Sequence, residues 1–433
     1  MTIKAISRFI RTGGALLIFV AATVATFAQS GSTRPRRVNP VPPAATASPS
    51  SSSTSSRAGQ RSPATVDNTA ASSNTTGNTA PPPRRRTNNA PAASTMTADT
   101  SRAYDLLQQK QYGAAARAAK EIAASNPNDS EAWKIAGFAE MNLKQYEEAA
   151  ADLQRALDLQ RAASQEDANT VDALAQAYIL TEKFDRALPL LVIATTRVGA
   201  PAPASMFYYR GVAEYQTGKA AEAERSFNAA VKANPKDAAS LYYLGQIAFK
   251  GGRLDEAISM LNRATLSDPR IASAWALLTT AYLRRAASAT VEAKADADYL
   301  SAVRAGESLT RQRPDAEAAT LFAQALIGAK QFARAATVLE KVTAGDDAKG
   351  VTLYLLGIAH SRAKNFPKAI AALERAATKS PDDVNIYREL GYAYEISKQY
   401  AKALTAYERG AQLAPADTDF KESIERVRPA AQR

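Results

Sequence analysis

The sequence has no cysteine and only one histidine, His360, among its 433 residues. Without cysteine sulfur, the chain cannot form disulfides, use a thiolate nucleophile, bind metal through thiolates or carry a bacterial lipoprotein anchor. A single histidine leaves almost no basis for a zinc site. We therefore expect no metal and no cofactor.

Negative charge is nearly missing from the first 97 residues, where Asp67 is the only acidic residue. Eleven lysine and arginine residues lie in the same segment, so it holds most of the net charge of +12. The residues after it are nearly neutral as a whole, whereas nucleic-acid-binding domains usually carry a clustered basic surface. We therefore expect no nucleic-acid partner.

Residues 1–28 have the pattern of a secretory signal peptide. A basic start precedes the apolar run Ala15–Val24, and the small residues Thr26 and Ala28 suit cleavage before Gln29. This pattern predicts a bacterial protein exported to the periplasm or the cell surface. The alternative is an uncleaved anchor in the inner membrane, because the uncharged stretch 12–33 is barely long enough to span a bilayer.

Residues 29–97 are rich in Ser, Thr, Ala, Pro, Asn and Arg and contain very few large apolar side chains. Such a segment cannot bury enough surface to offset its chain entropy, so we expect a disordered linker. Its Arg-rich part, Arg84–Arg86 after Pro81–Pro83, could contact a partner, an anionic membrane or the cell wall. The composition favours the simpler interpretation of a solubilising spacer.

Residues 98–417 contain an internal repeat of about 34 residues. An alanine marks each unit, and in eight of nine units a large apolar residue precedes it by three positions. These alanines are Ala115, Ala149, Ala187, Ala223, Ala257, Ala302, Ala335, Ala369 and Ala403. Within a unit, apolar residues recur with helical periodicity on two segments, which predicts two antiparallel helices that must stack on neighbouring pairs to bury their apolar faces.

The pattern resembles the tetratricopeptide repeat family. A large residue stands at the fourth position of the better units: Trp133, Val171, Phe207, Leu241, Trp275, Leu353 and Tyr387. The resemblance implies an all-α, right-handed superhelical solenoid of about nine helix-turn-helix repeats. Extra residues near 286–297 indicate longer helices or a loop, and the helical spacing of Phe420, Ile424 and Val427 predicts a capping helix in 418–433.

Residues that could carry catalysis have simpler explanations. His360 occupies a column that other units fill with Tyr178, Tyr282 and Tyr394, which indicates a packed residue. Gly251 and Gly252 lie in a turn and lack the lysine of a phosphate-binding loop. Acidic pairs such as Glu147 and Glu148 suit helix N-termini. We therefore expect the chain not to be an enzyme.

The resemblance also implies a partner-binding groove, because the concave surface of tetratricopeptide arrays is lined by fixed first-helix positions. Those positions here are Lys134, Phe138, Met141, Tyr208, Val212, Tyr215, Tyr242, Gln246, Phe249, Tyr354, Ile358, Arg362, Arg388, Tyr392 and Glu395. Exposed aromatic rows usually mark contact surfaces, although the same rings could pack between repeats. No unit carries the Lys and Asn set that holds acidic chaperone tails.

The sequence thus predicts an exported, non-enzymatic scaffold of the bacterial cell envelope that binds protein partners along its concave face. The alternative is a membrane-anchored structural subunit of an envelope secretion or polymer export complex. The partner's identity is not encoded in any motif.

Overall fold

The computed structural model of the protein describes residues 98–199 and 202–433. The predicted signal peptide and linker lie outside the described residues. Within the described ranges the chain forms nineteen α-helices and no strand. None of these helices is long and apolar enough to cross a membrane.

The helices follow one another with short turns. They are α1 (Ala98–Gln108), α2 (Tyr112–Ser125), α3 (Ser130–Leu143), α4 (Tyr146–Ala162), α5 (Ala168–Leu180), α6 (Phe184–Thr196), α7 (Ala204–Gln216), α8 (Ala220–Ala233), α9 (Ala238–Lys250), α10 (Leu254–Ser267), α11 (Ala272–Ser288), α12 (Glu292–Gln312), α13 (Ala316–Gly328), α14 (Phe332–Val342), α15 (Gly350–Arg362), α16 (Phe366–Lys379), α17 (Val384–Ile396), α18 (Tyr400–Leu413) and α19 (Thr418–Ala431).

The first eighteen helices form nine pairs, numbered here as repeats 1–9, so that repeat 4 is α7–α8. In each pair the odd-numbered helix is the first helix and the even-numbered one the second. Every helix packs on the next, and every first helix also contacts the first helix of the following repeat. Within the described residues, successive second helices do not pack against each other as successive first helices do. The first helices therefore lie closest together, and the surface they form is called the inner face. This arrangement confirms the predicted all-α repeat solenoid.

Small side chains allow the two helices of a repeat to approach each other. All nine alanines of the sequence column are completely buried. Glycine plays the same part on the first helix: a Cβ atom at Gly137 would stand 2.5 Å from Leu153 Cγ, and one at Gly245 would stand 2.6 Å from Leu261 Cγ. At these two glycines a larger residue would require the facing leucine to move, which explains why small residues recur in both columns.

Aspartates start many of the first helices. Asp129 accepts hydrogen bonds from the backbone N–H groups of Glu131 and Ala132, at 3.1 and 3.0 Å. Asp167, Asp315, Asp383 and Asp417 cap the helices that follow them in the same way. Because an N-cap carboxylate satisfies otherwise unpaired N–H groups, it fixes where repeats 2, 3, 7 and 9 and the last helix begin.

The two departures from the regular repeat are mainly helical, and only residues 289–291 of the first form a short turn between two helices. The extra residues near 286–297 lengthen α11 to 17 residues and α12 to 21 residues. At the other end, α19 packs on α18, with Phe420 and Val427 buried. The predicted capping helix is therefore present, and its apolar face covers the last repeat.

Candidate protein-binding surface

Three of the residues expected to line the groove are buried, and the prediction that they are solvent-accessible is wrong. Val212, Phe249 and Tyr354 are only 6%, 3% and 4% exposed. Each lies in a core cluster with side chains of the next repeat. The guanidinium of Arg284, in repeat 6, lies 5.4 Å from the centre of the Phe249 ring and covers it. Side chains of the following repeat therefore shield these three residues from solvent.

The charged groove residues are bound within the chain. Lys134 Nζ lies 2.9 Å from Glu131 Oε2 and 3.4 Å from Asp167 Oδ2. Burial lowers the pKa of Lys134, but the two carboxylates outweigh it, and the pKa is raised overall. These contacts reach the N-cap of the next first helix, so Lys134 ties repeat 2 to repeat 3.

The same use of charge recurs in the last repeats. Arg362 forms two hydrogen bonds with Glu389, at 2.8 and 3.2 Å. Arg388 pairs with Asp417, the N-cap residue of α19, and Glu395 pairs with Arg426. Each pair joins one repeat or cap to its neighbour. We interpret these residues as connections along the solenoid rather than as free binding groups.

The remaining predicted groove residues keep part of their surface accessible. Phe138, Met141 and Ile358 are half-buried, and Tyr392 is 41% exposed. The largest group lies on α7 and α9, where Tyr208, Tyr215, Tyr242 and Gln246 are all half-buried.

Six aromatic rings form one continuous group on repeats 4 and 5, which we call the tyrosine cluster: Tyr208, Tyr209, Tyr215, Phe227, Tyr242 and Tyr243. Phe227, which is completely buried, anchors the group by stacking on Tyr243 with ring centres 4.9 Å apart. Tyr208 and Tyr242 each contact Tyr243 at the inner face, at 6.2 and 5.6 Å. Mutual packing of this kind holds the rings in fixed positions.

The hydroxyl groups of Tyr208 and Tyr242 remain neutral donors near pH 7. Burial raises the pKa of Tyr208 to about 12, with a further contribution from the negative charge of Asp237. Burial also raises the pKa of Tyr242. At the edge of the cluster, the Lys250 ammonium lies 4.8 Å from the centre of the Tyr215 ring. The cluster therefore offers apolar rings, hydroxyl groups and one nearby cation.

Tyr243 and Lys250 were not among the residues expected from the sequence. A signal for Tyr243 exists, because the pairs Tyr208-Tyr209 and Tyr242-Tyr243 are 34 residues apart and so occupy the same two positions in successive repeats. Two adjacent tyrosines on a helix point in different directions. Tyr209 and Tyr243 pack toward the preceding repeat, whereas Tyr208 and Tyr242 pack toward the following one.

The sequence profile described as "Tetratricopeptide repeat" matches residues 100–167, 173–238, 213–274, 244–290 and 354–418. These matches cover more than half of the chain and fall on the helix pairs described above. The chain is a member of the tetratricopeptide repeat family. Arrays of this family are characteristically scaffolds for protein interactions that use an extended surface of the solenoid.

Solved structures resemble this tetratricopeptide repeat protein at low identity. "MamA 41-end" from Desulfovibrio magneticus RS-1 is 22% identical, covers 42% of this chain and 97% of its own, and has a TM-score of 0.37. A tetratricopeptide repeat protein from Parabacteroides merdae ATCC 43184 is 13% identical, with 60% and 98% covered and a TM-score of 0.38. YrrB, described as "a TPR protein with an unusual peptide-binding site", is 20% identical, with 47% and 96% covered and a TM-score of 0.37. No curated protein matches the chain.

The residues considered for catalysis have structural roles in the tetratricopeptide array. His360 is 6% exposed, and its Nε2 atom lies 3.3 Å from Glu340 Oε1. Burial lowers the pKa of His360, which keeps the ring neutral near pH 7. Gly252 adopts a left-handed conformation in the turn before α10, with φ of 75°. Within the described residues, no group of three or more potential ligands could hold a metal ion.

Proposed function

We propose that this tetratricopeptide repeat protein is a non-enzymatic scaffold that binds a segment of a partner protein on the inner face of repeats 4 and 5. The observation that carries the proposal is the tyrosine cluster, which places partly accessible rings on two successive first helices. Gln246 lies on the same face and provides an amide for hydrogen bonding.

Energetic arguments favour this surface over the other predicted groove positions. Tyrosine supplies a large contact area at a small cost in side-chain entropy, and the rings here are already held by Phe227. Lys134, Arg362 and Arg388 would have to break ion pairs within the chain before binding a partner. A preorganised aromatic surface requires no such exchange.

The proposal is tested by site-specific photo-crosslinking in intact cells. A photo-reactive amino acid replaces Gln246 on the inner face, and the control carries it at Leu266, which is 86% exposed on the second helix of the same repeat. We expect a discrete crosslinked protein from position 246 and not from position 266. The same product from both positions, or from neither, would contradict binding at the inner face.

A second pair of variants separates recognition from folding. Tyr208→Ala with Tyr242→Ala should abolish the crosslink from position 246, since truncation of central aromatic residues at interfaces costs about 2 kcal/mol or more. The matched control is Leu261→Ala, a completely buried residue of repeat 5, which should lower stability by roughly 2 to 5 kcal/mol. If the tyrosine variant melts as early as the leucine variant, the rings serve the core and the proposed site is wrong.

We also propose that the scaffold works in the bacterial cell envelope. Support comes from the sequence of residues 1–28, with its basic start and its short apolar run. Mass spectrometry of the protein purified from cells should find an N-terminus near Gln29. A membrane-bound form that retains Lys4 and Arg8 would instead support the inner-membrane anchor.

A further inference from the structure

The turn between the two helices of a repeat changes its charge along the array. In repeats 2–6 the second helix begins with one or two acidic residues: Glu147, Glu148, Asp185, Glu222, Asp255, Glu256 and Glu292. In repeats 7–9 the second helices have no acidic residue in the first turn. Their third positions are instead Arg334, Lys368 and Lys402, which are spaced by 34 residues.

This reversal opposes the electrostatics of a helix. The N-terminus of a helix carries a partial positive charge, so a cation in the first turn is unfavourable by about 0.3 to 1 kcal/mol where a carboxylate would be stabilising. The preceding turns add Lys330, Lys364 and Lys398, each in the left-handed conformation with φ of 60°, 63° and 59°. The first-turn cations Arg334, Lys368 and Lys402 thus stand at a position that disfavours positive charge, and the turn lysines add to the positive charge beside them.

Ion pairs join several neighbouring repeats at these turns. Lys183 pairs with Glu147, Arg253 with Glu224, and Lys330 with Glu292. In each pair the carboxylate belongs to the preceding repeat. At repeat 8 the corresponding pair is Lys368 with Glu340 of repeat 7, whereas the turn residue Lys364 has no carboxylate partner in the part of the chain that the structure describes.

Four exposed cations at the turns of repeats 7–9 have no carboxylate partner among the described residues. Lys364 and Lys398 have no polar partner there, Arg334 bonds only to the Gln331 amide, and Lys402 lies 5.5 Å from the centre of the Tyr394 ring. Lys368 and Arg362 differ, since Glu340 and Glu389 neutralise them. We call the four residues Arg334, Lys364, Lys398 and Lys402 the basic rim.

We propose that the basic rim docks an acidic polypeptide segment. The proposal rests on the scaffold function above and adds a second contact surface to it. Carboxylates placed along the rim would neutralise its four cations and would also satisfy the positive ends of α14, α16 and α18.

The spacing of the rim suits a polypeptide. Packed helices lie about 8 to 10 Å apart, so three successive repeats place their turns across roughly 20 to 40 Å. An extended chain advances about 3.3 Å per residue, so about six to twelve residues would cover the rim. Ile396, which is 47% exposed two residues before Lys398, adds an apolar contact for a side chain. The chain's own first 97 residues are basic, so their charge makes them an unsuitable occupant.

The test uses a fluorescein-labelled peptide, (Glu-Gly-Ser)₄, and its Gln counterpart, with binding to the full chain followed by fluorescence anisotropy at low and high salt. We expect the Glu peptide to bind at low salt, more weakly at high salt, and the Gln peptide not to bind. The variant Arg334→Gln, Lys364→Gln, Lys398→Gln and Lys402→Gln should weaken binding by about tenfold or more. Equal binding by this variant and the wild type would overturn the proposal.

A matched control removes the same charge from the equivalent turns of repeats 1–4. The control variant carries Lys110→Gln, Lys144→Gln, Arg186→Gln and Lys219→Gln, all at exposed residues. Arg186 lies over Tyr178 at 6.0 Å, much as Lys402 lies over Tyr394. We expect this variant to bind the Glu peptide almost as well as the wild type. Equal loss in both variants would show a general charge effect and would overturn a specific rim.

Two further measurements exclude other occupants. Vesicles containing phosphatidylglycerol should not sediment with the protein through the basic rim, and vesicle binding without peptide binding would assign the rim to a membrane instead. Self-association that is lost only in the rim variant would assign it to a second copy. The crosslink from position 246 is measured separately. Crosslinking without peptide binding would contradict only the basic rim. Peptide binding without crosslinking would contradict only the inner-face site.

Discussion

Gly211 lies so close to Phe227 that a Cβ atom at residue 211 would stand 2.7 Å from the Cδ1 atom of the ring. The first residue lies on α7 and the second on α8, so the contact sets how closely the helices of repeat 4 approach. Phe227 also stacks on Tyr243 of repeat 5. A single glycine therefore positions the ring that anchors the tyrosine cluster.

Gly211→Ala should destabilise the protein, because the buried Phe227 ring has no free volume into which it can move. Overpacking of this kind typically costs about 1 to 3 kcal/mol. We expect a lower melting temperature by circular dichroism and a weakened crosslink from position 246, since the tyrosine rings would shift with Phe227. An unchanged melting temperature would show that the helix pair opens at little cost.

The array contains its own control for this change. Repeats 3 and 7 have Ala175 with Leu191 and Ala323 with Leu339 at the equivalent positions, and all four residues are completely buried. Adding Phe227→Leu to Gly211→Ala reproduces that pair in repeat 4. The double variant should recover much of the lost stability, whereas additive losses in the two single variants would contradict the contact as the cause.

The stability of the first two repeats should depend on pH through Glu140. This carboxyl is 2% exposed and contacts Lys120, whose Nζ atom also lies 3.6 Å from Asp152 Oδ2. Burial raises the pKa of Glu140 to about 7 against the opposing effect of Lys120, and the Asp152 charge raises it further. Because the folded pKa lies above the unfolded value of 4.5, the stability that Glu140 contributes is lost as the pH rises from about 4.5 to 7.

Glu140→Gln imitates the protonated side chain and removes this dependence. At pH 5 the variant and the wild type should have nearly the same free energy of unfolding. At pH 8 the free energy of unfolding of the variant should be larger, by an amount on the order of 1 to 3 kcal/mol. Thermal unfolding across this pH range measures it, with the exposed Glu148→Gln of the same repeat as the control. A constant difference between variant and wild type at every pH would contradict the assignment.

The helix pairs could be predicted because their determinants repeat at one interval in the sequence. The buried alanine column needs only the spacing of Ala115, Ala149 and the residues that follow. Accessibility on the inner face could not be predicted in that way, since it depends on side chains of the next repeat. Phe249 occupies a groove position of the family but is covered by Arg284.

The ion pairs could not be predicted from the sequence either. The cluster of Lys120, Glu140 and Asp152 takes one residue from each of α2, α3 and α4, at positions that have no common spacing. Arg388 is a groove residue by its position, yet it pairs with the N-cap of α19. Whether a charged side chain is free or paired is decided by the packing of repeats, which the periodicity alone does not specify.

The lengthened helices of repeat 6 should depend on the ion pair between Arg285 and Asp298. Arg285 donates to Asp298 twice, from Nε at 2.9 Å and Nη2 at 2.6 Å, and Asp298 is 7% exposed. Asp298→Asn removes the charge, and we expect a local loss of about 1 to 3 kcal/mol. Hydrogen exchange in the first turns of α12 should accelerate, whereas the more exposed Asp296→Asn should leave it unchanged. Equal exchange in both variants would contradict a structural role for the pair.

Phe420→Ala should release the capping helix without unfolding the whole array. Phe420 is 1% exposed, lies 6.5 Å from Tyr407 between ring centres, and has the Arg388 guanidinium 4.9 Å from its ring centre. Truncating a buried phenylalanine costs about 3 to 5 kcal/mol, and a repeat array transmits this loss mainly to the nearest units.

Hydrogen exchange should therefore accelerate in α17, α18 and α19 and stay near the wild-type rate in repeats 1–6. Glu425→Ala, on the exposed side of α19, is the control and should change neither region. Uniform acceleration across all nine repeats would show that the solenoid unfolds as one cooperative unit and would contradict a local cap.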